Sequence, residues 1–546
     1  MKGLMMDMPL TITTVMRHAE MYHGEREVVS ATSEQDVRRA SYSDVFRRAR
    51  KLFNAMQALG CRPGDRIATL AWNHQQHLEL YYGVICGGYV LHTINPRLFD
   101  DQIAYIINHA DDKWIFIDRD FVPLLERLRP QLKNVKGIVV LEPDDDLPES
   151  LSANGYSYEH LLADQDDSCA WPELDENSAC AMCYTSGTTG NPKGVLYSHR
   201  SLLLHTLSVS LLDADGLGLN DVILPLVPMF HVNAWGLPFR APLVGARIVF
   251  PNRYMGNPQV VSRLIAQESV TYGVSVPTIW QWLLDHLDQT GGNLKTLRKA
   301  VVGGAATPLS LFERFRDDYG VELAQGWGMT ELCSAGTLNV PGPDFDSMNE
   351  ADRKQYPLKQ GRPIFGLEVK ITDDEDNALP WDGATAGYLK VKGPTVCESY
   401  FGAAEAESGV DANGWFTTGD VATIDPDGTI QVTDRSKDLI KSGGEWISSI
   451  DLENCAMTHP AIAEAAVISA AHEKWTERPL LIAVKKPDQT ISEQDLLAWF
   501  DGKIARWWTP EDVIFVKQLP YTATGKISKL SLREQYGDYL ITGSDG

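Results

Sequence analysis

Residues 184–194 read YTSGTTGNPKG and overlap the end of an apolar run, ACAMCYT (179–185), that predicts a buried β-strand. A helix pattern, SLLLHTLSVSLL (201–212), follows the loop. A strand, a glycine-rich loop and a helix form a context in which backbone N–H groups and hydroxyls hold phosphates. The spacing around Lys193 does not match GxxxxGK[ST], which disfavours a P-loop kinase or GTPase and leaves a ligand-free surface loop as the weaker alternative.

Similar alternation of strands and helices extends outward from this loop, between about residues 60 and 340. Helix patterns separate the strand candidates, as in residues 257–267, where Asn257 is the expected N-cap. Alternating β and α elements predict an α/β fold with a mostly parallel sheet covered by helices. The other short, branched and apolar strand candidates are WIFID (114–118), GIVVLE (137–142), DVILPLV (221–227), ARIVFP (246–251), TYGVSV (271–276) and KAVVGG (299–304).

The pattern of predicted strands and helices changes twice after this region. Short strands with Gly, Pro and Asp turns predict a small β-barrel-like unit near residues 360–433. After about residue 437 the pattern becomes a compact α+β unit. We therefore expect a large N-terminal domain over residues 1–434 and a small C-terminal domain over residues 435–546.

Composition and charge exclude several classes of protein. The 546-residue chain has a formal net charge of −24, which argues against a nucleic-acid partner because such binding needs a basic surface. The start, MKGLMMDMPL, lacks a signal-peptide core, and no apolar run approaches the ~20 residues of a membrane span. Cys180 and Cys183 lie three apart on a predicted strand and so point to opposite faces. We expect a cytoplasmic protein with reduced, buried thiols.

Further motifs follow the loop along the chain: GGAATP (303–308), QGWGMTE (325–331), GWFTTGD (414–420), DRSKDLIKSGGEWISSIDLE (434–453) and TATGKISK (522–529). Together with TSGTTGNPKG, and in this order, they resemble the signature motifs of the adenylate-forming enzymes, which include acyl-CoA synthetases, firefly luciferase and peptide-synthetase adenylation domains. The resemblance covers nearly the whole chain. It implies that a carboxylate attacks the α-phosphate of ATP to give an acyl-adenylate and pyrophosphate, and that the thiol of CoA then displaces AMP.

The resemblance also assigns the phosphate and metal site. Magnesium needs hard oxygen ligands, which Glu331 and the Thr185 hydroxyl would supply. Lys526 resembles the lysine that reaches the carboxylate and the α-phosphate, where a positioned cation stabilises the transition state. The donors expected to bind pyrophosphate are Thr185, Ser186, Gly187, Thr188, Thr189 and Lys193.

Nucleotide and CoA contacts come from the later motifs. Asp420 would accept from the ribose hydroxyls, Arg435 would lie near ribose and α-phosphate, and Lys437 would be the hinge of a mobile C-terminal domain. Trp327 is equally compatible with stacking on adenine and with a place in the core. The remaining adenine-side residues are Gly303, Gly304, Ala305, Gln325, Gly326, Gly328 and Thr330, and the CoA-side candidates are Lys441, Glu445 and Trp446.

The stretch VPMFHVNAWG (227–236) matches the acid-pocket region of the family. Amino-acid-activating relatives have an aspartate where this chain has His231, so a simple carboxylic acid is expected. His231, Val232 and Trp235 would line the pocket, and their bulk favours a short or medium acid. A satisfied core histidine is the alternative for His231.

Within the family, the chain most resembles bacterial ligases of 3-(methylthio)propanoate, an acid of dimethylsulfoniopropionate breakdown. A general short- or medium-chain fatty acid–CoA ligase is the alternative. An adenylating or luciferase-like relative that forms no CoA thioester is another, and a nucleotide-binding regulator without turnover is disfavoured by Lys526 and Glu331. The family suggests a homodimer as a further possibility.

Overall fold

The protein is described here by a computed structural model covering residues 1, 3–141, 147, 151, 155–185, 191–211, 216–403, 409–442, 445–521 and 527–542. Its strands are β1 (Glu27–Ala31), β2 (Val37–Ser41), β3 (Arg66–Leu70), β4 (Val90–Thr93), β5 (Trp114–Ile117), β6 (Gly137–Val140), β7 (Gly155–Ser157), β8 (Ala179–Tyr184), β9 (Gly194–Ser198), β10 (Val222–Pro225), β11 (Arg247–Phe250), β12 (Tyr272–Ser275), β13 (Lys299–Gly303), β14 (Glu322–Met329), β15 (Ser334–Leu338), β16 (Arg362–Pro363), β17 (Glu368–Thr372), β18 (Gly387–Lys392), β19 (Phe416–Ile424), β20 (Ile430–Arg435), β21 (Ile440–Ser442), β22 (Glu445–Ile447), β23 (Ile462–His472), β24 (Thr476–Lys485) and β25 (Asp512–Phe515). Its helices are α1 (Ile12–His23), α2 (Tyr42–Ala58), α3 (Gln75–Cys86), α4 (Asp100–Ala110), α5 (Val122–Leu128), α6 (Tyr158–Ala163), α7 (His199–Val209), α8 (Leu237–Val244), α9 (Pro258–Glu268), α10 (Pro277–Thr290), α11 (Leu309–Asp317), α12 (Glu350–Gln355), α13 (Ser449–Met457), α14 (Glu493–Ala498), α15 (Lys529–Tyr536) and α16 (Tyr539–Thr542).

Two large sheets form the N-terminal part. One has the strand order β16-β15-β14-β13-β12-β10-β11-β1-β2 and is parallel from β14 to β1. The other has the order β7-β6-β5-β3-β4-β8-β9 and is parallel except for β9. Strands such as β4 and β13 are buried along their whole length, as expected for apolar runs in a parallel sheet covered by helices. This confirms the predicted α/β fold class.

Helix ends follow the sequence signals. Asn257 caps α9, since its side chain accepts from the N–H groups of Gln259 and Val260, and Pro258 occupies the first helical position. Ser41 and Asp44 form a capping box at the start of α2. These local signals agree with the alternation that predicted the sheet.

The later part of the chain contains the two predicted smaller units. Strands β17 to β20 form a four-stranded antiparallel sheet in sequence order, in the region expected to hold the β-unit. Beyond it lie the β21–β22 hairpin and a β23-β24-β25 sheet packed with α13 and α15, which form the α+β C-terminal domain. The domain boundary at residues 434 and 435 remains a prediction.

Two other expectations concern single segments. Cys180 and Cys183 are buried free thiols on β8, as expected. Within the described part of the chain, none of the helices is long and apolar enough to cross a membrane.

Candidate active site

The base of the glycine-rich loop is a β-hairpin. The Thr185 N–H donates to the Lys193 carbonyl at 2.9 Å, and the Lys193 N–H donates to the Thr185 hydroxyl oxygen at 3.3 Å. The sequence did not predict β9, which pairs antiparallel with β8 between the loop and α7. The loop is therefore held at both ends by strand pairing, and the α7 N-terminus is one strand length away. The predicted phosphate donors Ser186, Gly187, Thr188 and Thr189 lie outside the described residues.

Tyr400 links two of the predicted phosphate-site residues. Its hydroxyl donates to Glu331 Oε1 at 2.8 Å, and the Lys193 ammonium lies 4.8 Å from the centre of its ring. Burial raises the pKa of Tyr400, and the Glu331 carboxylate raises it further, so the phenol stays protonated and donates. The Phe401 N–H donates to the Gly194 carbonyl at 2.8 Å, which ties this segment to the end of the loop.

Glu331 and Thr185 fit the magnesium ion that the family implies. Glu331 lies in a 3-10 turn, is only 7% exposed, and uses one carboxylate oxygen for the bond from Tyr400. No cluster of three or more His, Cys, Asp or Glu able to hold a metal ion occurs among the described residues. A cation here would take its other ligands from phosphate oxygens and water, which is how Mg²⁺ is usually bound.

Asp420 is the centre of the predicted ribose site. Its Oδ2 accepts from the indole N–H of Trp327 at 2.7 Å, and its Oδ1 lies 2.8 Å from Nε of Arg435, its partner across β19 and β20. A carboxylate has about four acceptor positions, so the pair of ribose hydroxyls can still be accommodated. Trp327 is buried in an apolar cluster with Leu332, which matches its core interpretation.

Gly303 is where the adenine-side loop meets the acid pocket. It ends β13 opposite Gly326 on β14. A Cβ atom at Gly303 would lie 2.8 Å from the Gly326 carbonyl oxygen and 3.2 Å from the Trp235 ring. Gly304 follows with φ of 80°, in the left-handed region that favours glycine. The small residues therefore allow Trp235 to cover this strand end.

The other predicted adenine-side residues lie on the same strands and their connections. Gln325 is buried, and its Oε1 has no hydrogen-bond partner, so it can accept from a donor such as the amino group of adenine. A Cβ atom at Gly328 would lie 1.9 Å from the Ser334 carbonyl oxygen, so only glycine fits there. The Thr330 carbonyl accepts from the Tyr197 hydroxyl at 2.8 Å, which ties the turn after β14 to β9, and Ala305 lies in the bend after β13 with Gly304.

The acid-pocket segment contains a turn of the left-handed conformation. Val232, Asn233, Ala234 and Trp235 have φ values of 47°, 51°, 46° and 56°. None is glycine, and each such residue costs roughly 1–2 kcal/mol. Nothing in VPMFHVNAWG indicated a run of four such residues, since only Asn233 and Gly236 there readily adopt this conformation. Strain of this kind is concentrated at functional sites.

Asn73 holds the start of the same segment in place. Its side-chain amide donates to the carbonyls of Pro225 and Val227 at 3.1 and 2.8 Å, and its Oδ1 accepts from the Met229 N–H at 2.7 Å. Asn73 is fully buried after β3, so these bonds are shielded from water. The sequence did not single out Asn73 or Tyr400, because both act through contacts with residues far away along the chain.

The hinge and CoA-side residues lie next to the β-unit. Burial lowers the pKa of Lys437, and nearby Arg435 lowers it further. Lys441 lies opposite Trp446 on the β21–β22 hairpin, and its ammonium donates to the Tyr388 hydroxyl at 3.3 Å. The Trp446 and Tyr388 rings are 5.4 Å apart, so the hairpin packs on β18 in this arrangement. For Glu445 only the backbone is described, and Lys526 lies outside the described residues.

Comparison with known proteins identifies the family. The family model for the AMP-binding enzyme matches residues 15–401, and that for the AMP-binding enzyme C-terminal domain matches residues 451–526. The chain is 47% identical over 541 residues to a 3-methylmercaptopropionyl-CoA ligase of Ruegeria lacuscaerulensis, covering 99% of this chain and 100% of the relative. It is also 47% identical over 544 residues to a medium-chain-fatty-acid–CoA ligase of Ectopseudomonas oleovorans, covering 100% and 99%.

A solved structure agrees with these relatives. The anthranilate CoA ligase AuaEII in complex with anthranoyl-AMP superposes with a TM-score of 0.86 at 26% identity, covering 98% of this chain and 99% of that one. The chain therefore belongs to the family of AMP-binding enzymes. Within it, the protein is an AMP-forming acyl-CoA synthetase, an acid–CoA ligase that uses ATP and CoA and proceeds through an acyl-adenylate. The resemblance to adenylate-forming enzymes is confirmed, and the roles of individual site residues remain predictions.

Proposed function

We propose that this ligase converts 3-(methylthio)propanoate, ATP and CoA into 3-(methylthio)propanoyl-CoA, AMP and diphosphate, with Mg²⁺ held by Glu331 and Thr185. The observation that carries the choice of acid is Trp235, whose ring covers the end of β13 at Gly303. A large indole at this point shortens the pocket. It also offers an aromatic surface to a thioether, a contact worth about 0.3–1.5 kcal/mol.

In the first half-reaction, different residues bind different parts of ATP. Lys193 and the hairpin loop bind the leaving pyrophosphate, and Tyr400 keeps both Lys193 and Glu331 in place. Asp420 and Arg435 hold the ribose side, so the α-phosphate is presented to the acid from a fixed direction. Lys526 supplies the cation that stabilises the charge developing on the phosphate oxygens.

The second half-reaction requires the C-terminal domain to rotate. We propose a boundary between residues 434 and 435 and a hinge at Lys437, and the gap between the two matched family regions, 402–450, contains both. Lys526 and the Lys441–Trp446 hairpin belong to this same small domain, and each is assigned to a different half-reaction. A rotation about Lys437 would bring first Lys526 and then the hairpin to the acyl-adenylate.

A panel of acids tests the proposed substrate. Pentanoate is the matched control, because it replaces the thioether sulfur by a methylene and keeps the length of the chain. We expect kcat/KM for 3-(methylthio)propanoate to exceed that for pentanoate by about 2- to 12-fold, from the thioether–indole contact. The Trp235→Leu variant should abolish this difference, since it removes the aromatic ring.

Butanoate and octanoate complete the panel. The relative from Ectopseudomonas oleovorans is named a medium-chain-fatty-acid–CoA ligase, which supports that activity as the second candidate. A kcat/KM for octanoate above that for 3-(methylthio)propanoate would establish the second candidate. Equal values for butanoate and 3-(methylthio)propanoate would remove the thioether acid as the specific substrate.

A further inference from the structure

His92 and Asp112 form a buried pair that the proposed mechanism does not yet use. His92 lies on β4 and is fully buried, and Asp112 is 1% exposed. The His92 Nδ1 atom is 2.8 and 3.0 Å from the two Asp112 carboxylate oxygens. Because a carboxylate only accepts, Nδ1 carries the hydrogen and Nε2 has the lone pair. That Nε2 atom is buried and has no hydrogen-bond partner.

A small cavity beside this pair connects it to the candidate active site. His92 lines the cavity, and Asp112 does not. Tyr184, the residue before the phosphate loop, forms another part of the wall, and His231 and Phe230 come from the acid-pocket segment. The other lining residues are Thr93, Ile94, Asn95, Leu98 and Ile106.

The position of the cavity follows from the sheet. Strands β4 and β8 are parallel neighbours, with Thr93 opposite Cys183, so both end at the same edge. An acyl-adenylate has its acyl group in the acid pocket and its phosphate towards the loop after β8. The bond between them would therefore pass close to the space between His231 and Tyr184, and the centre of the His92 ring lies 5.1 Å from that of the Tyr184 ring.

We propose that His92, oriented by Asp112, accepts the proton of the CoA thiol in the thioester-forming half-reaction. The S–H proton moves to Nε2 while the sulfur forms a bond to the acyl carbon. The C–O bond to the phosphate then breaks, and AMP leaves with its electron pair. The imidazolium releases its proton to solvent after the products depart. This proposal rests on the proposed acid–CoA ligase chemistry, but not on which acid is used.

The chemistry explains why a base is needed. An ordinary thiol with a pKa near 8.5 is only about 3% ionised at pH 7, and the thiolate is the nucleophile. A positioned general base typically contributes about 10²–10⁴-fold. A histidine with a carboxylate on one ring nitrogen and a free second nitrogen is the arrangement that serves this role in other acyl-transfer sites.

Three other titratable side chains lie near His92. Burial raises the pKa values of Cys183 and Tyr184 and lowers that of His109, so all three are neutral at pH 7. Burial also raises the pKa of Asp112, while His92 and Arg66 act to lower it. The titratable and charged groups around the pair are Asp112, His109, Cys183, Tyr184 and His231, with Arg66 and Asp111 beyond Asp112.

Separate assays of the two half-reactions test the proposal in the complete protein. Hydroxylamine in place of CoA traps the acyl-adenylate and reports adenylation, while CoA reports thioester formation with the same acid. We expect His92→Gln to keep the hydroxamate rate within about threefold and to lower the CoA-dependent rate about 10²-fold at pH 7. Asp112→Asn should lower the same rate about tenfold, since it disturbs the orientation of the ring.

The pH profile distinguishes a base from a packing residue. Between pH 7 and 9.5 the thiolate fraction of free CoA rises from about 3% to about 90%, so the deficit of His92→Gln should shrink about 30-fold. Ile103→Val is the control for altered core packing, since Ile103 is a buried residue of α4 that does not line the cavity, and it should behave as the wild type in both assays. Melting temperatures of all variants verify that they fold. If His92→Gln does not fold, the assays of Asp112→Asn test the proposal instead.

Several results would overturn the assignment. An equal loss of hydroxamate and thioester formation, or a deficit of the same size at pH 7 and 9.5, would make the pair structural. A normal thioester rate in the variants would exclude the pair outright. If the wild type releases no AMP in an acid- and CoA-dependent manner, it is the proposed function that fails, and this is seen before any variant is made.

Discussion

Gly303→Ala perturbs the point where the acid pocket and the adenine-side loop meet. The added Cβ would lie 2.8 Å from the Gly326 carbonyl oxygen, a distance that Cβ atoms essentially never show, and 3.2 Å from the Trp235 ring. The carbonyl belongs to the β13–β14 pairing and cannot easily retreat, so Trp235 would move into the pocket. Overpacking of this kind costs about 1–3 kcal/mol, which corresponds to about 5- to 150-fold in rate.

The hydroxamate assay at varied acid concentration measures this effect. We expect kcat/KM for the acid to fall about 5- to 150-fold, with the greater loss for the longer acids because the displaced ring shortens the pocket. Gly218→Ala is the matched control, since its Cβ would have nothing within 4 Å and its rate should stay unchanged. A kcat/KM for Gly303→Ala within twofold of the wild type would refute the contact between Gly303 and the pocket wall.

Two further predictions concern a phenol and a carboxyl group. Tyr400→Phe removes the hydrogen bond to Glu331 but keeps the aromatic ring beside Lys193. We therefore expect kcat/KM for ATP to fall about tenfold in a pyrophosphate-release assay. An unchanged kcat/KM would show that the phenol does not position Glu331. Burial raises the pKa of Asp451 from 3.8 to about 6, so ionisation opposes folding, and the free energy of unfolding should fall by up to about 3 kcal/mol as the pH rises from 4 to 7. The Asp451→Asn variant has no carboxyl group to ionise, so its melting temperature should exceed that of the wild type by a margin that grows from pH 4 to pH 7. A difference in melting temperature that stays constant over this range would contradict the raised pKa of Asp451.

Much of the fold was predictable because each parallel strand carries its own signal. Short apolar runs such as KAVVGG gave β13, and Asn257 with Pro258 predicted the start of α9. The strand β9 was missed because GVLYS is only five residues long and directly precedes a helix pattern. Its pairing with β8 depends on a turn that the local sequence does not specify.

The site was less predictable wherever it depends on distant contacts. The motif residues could be assigned by resemblance, but Tyr400 is 69 positions from Glu331 and Asn73 is 156 from Met229. Such contacts are set by how sheets and loops pack, and no periodicity along the chain reports them. His92 was likewise unremarkable within a buried strand until the structure showed its bond to Asp112 and the cavity that it lines.

The left-handed turn at Val232–Trp235 has a consequence for how this enzyme can change its substrate. At roughly 1–2 kcal/mol per residue, the turn costs a sum comparable to the net stability of a whole domain. Surrounding contacts, among them the Asn73 bonds to the same segment, must outweigh that cost. The backbone of the pocket is thus ordered before the acid arrives, and binding loses little entropy there. New acid preferences would therefore arise by exchanging side chains on a fixed backbone, and insertions in this segment would be selected against.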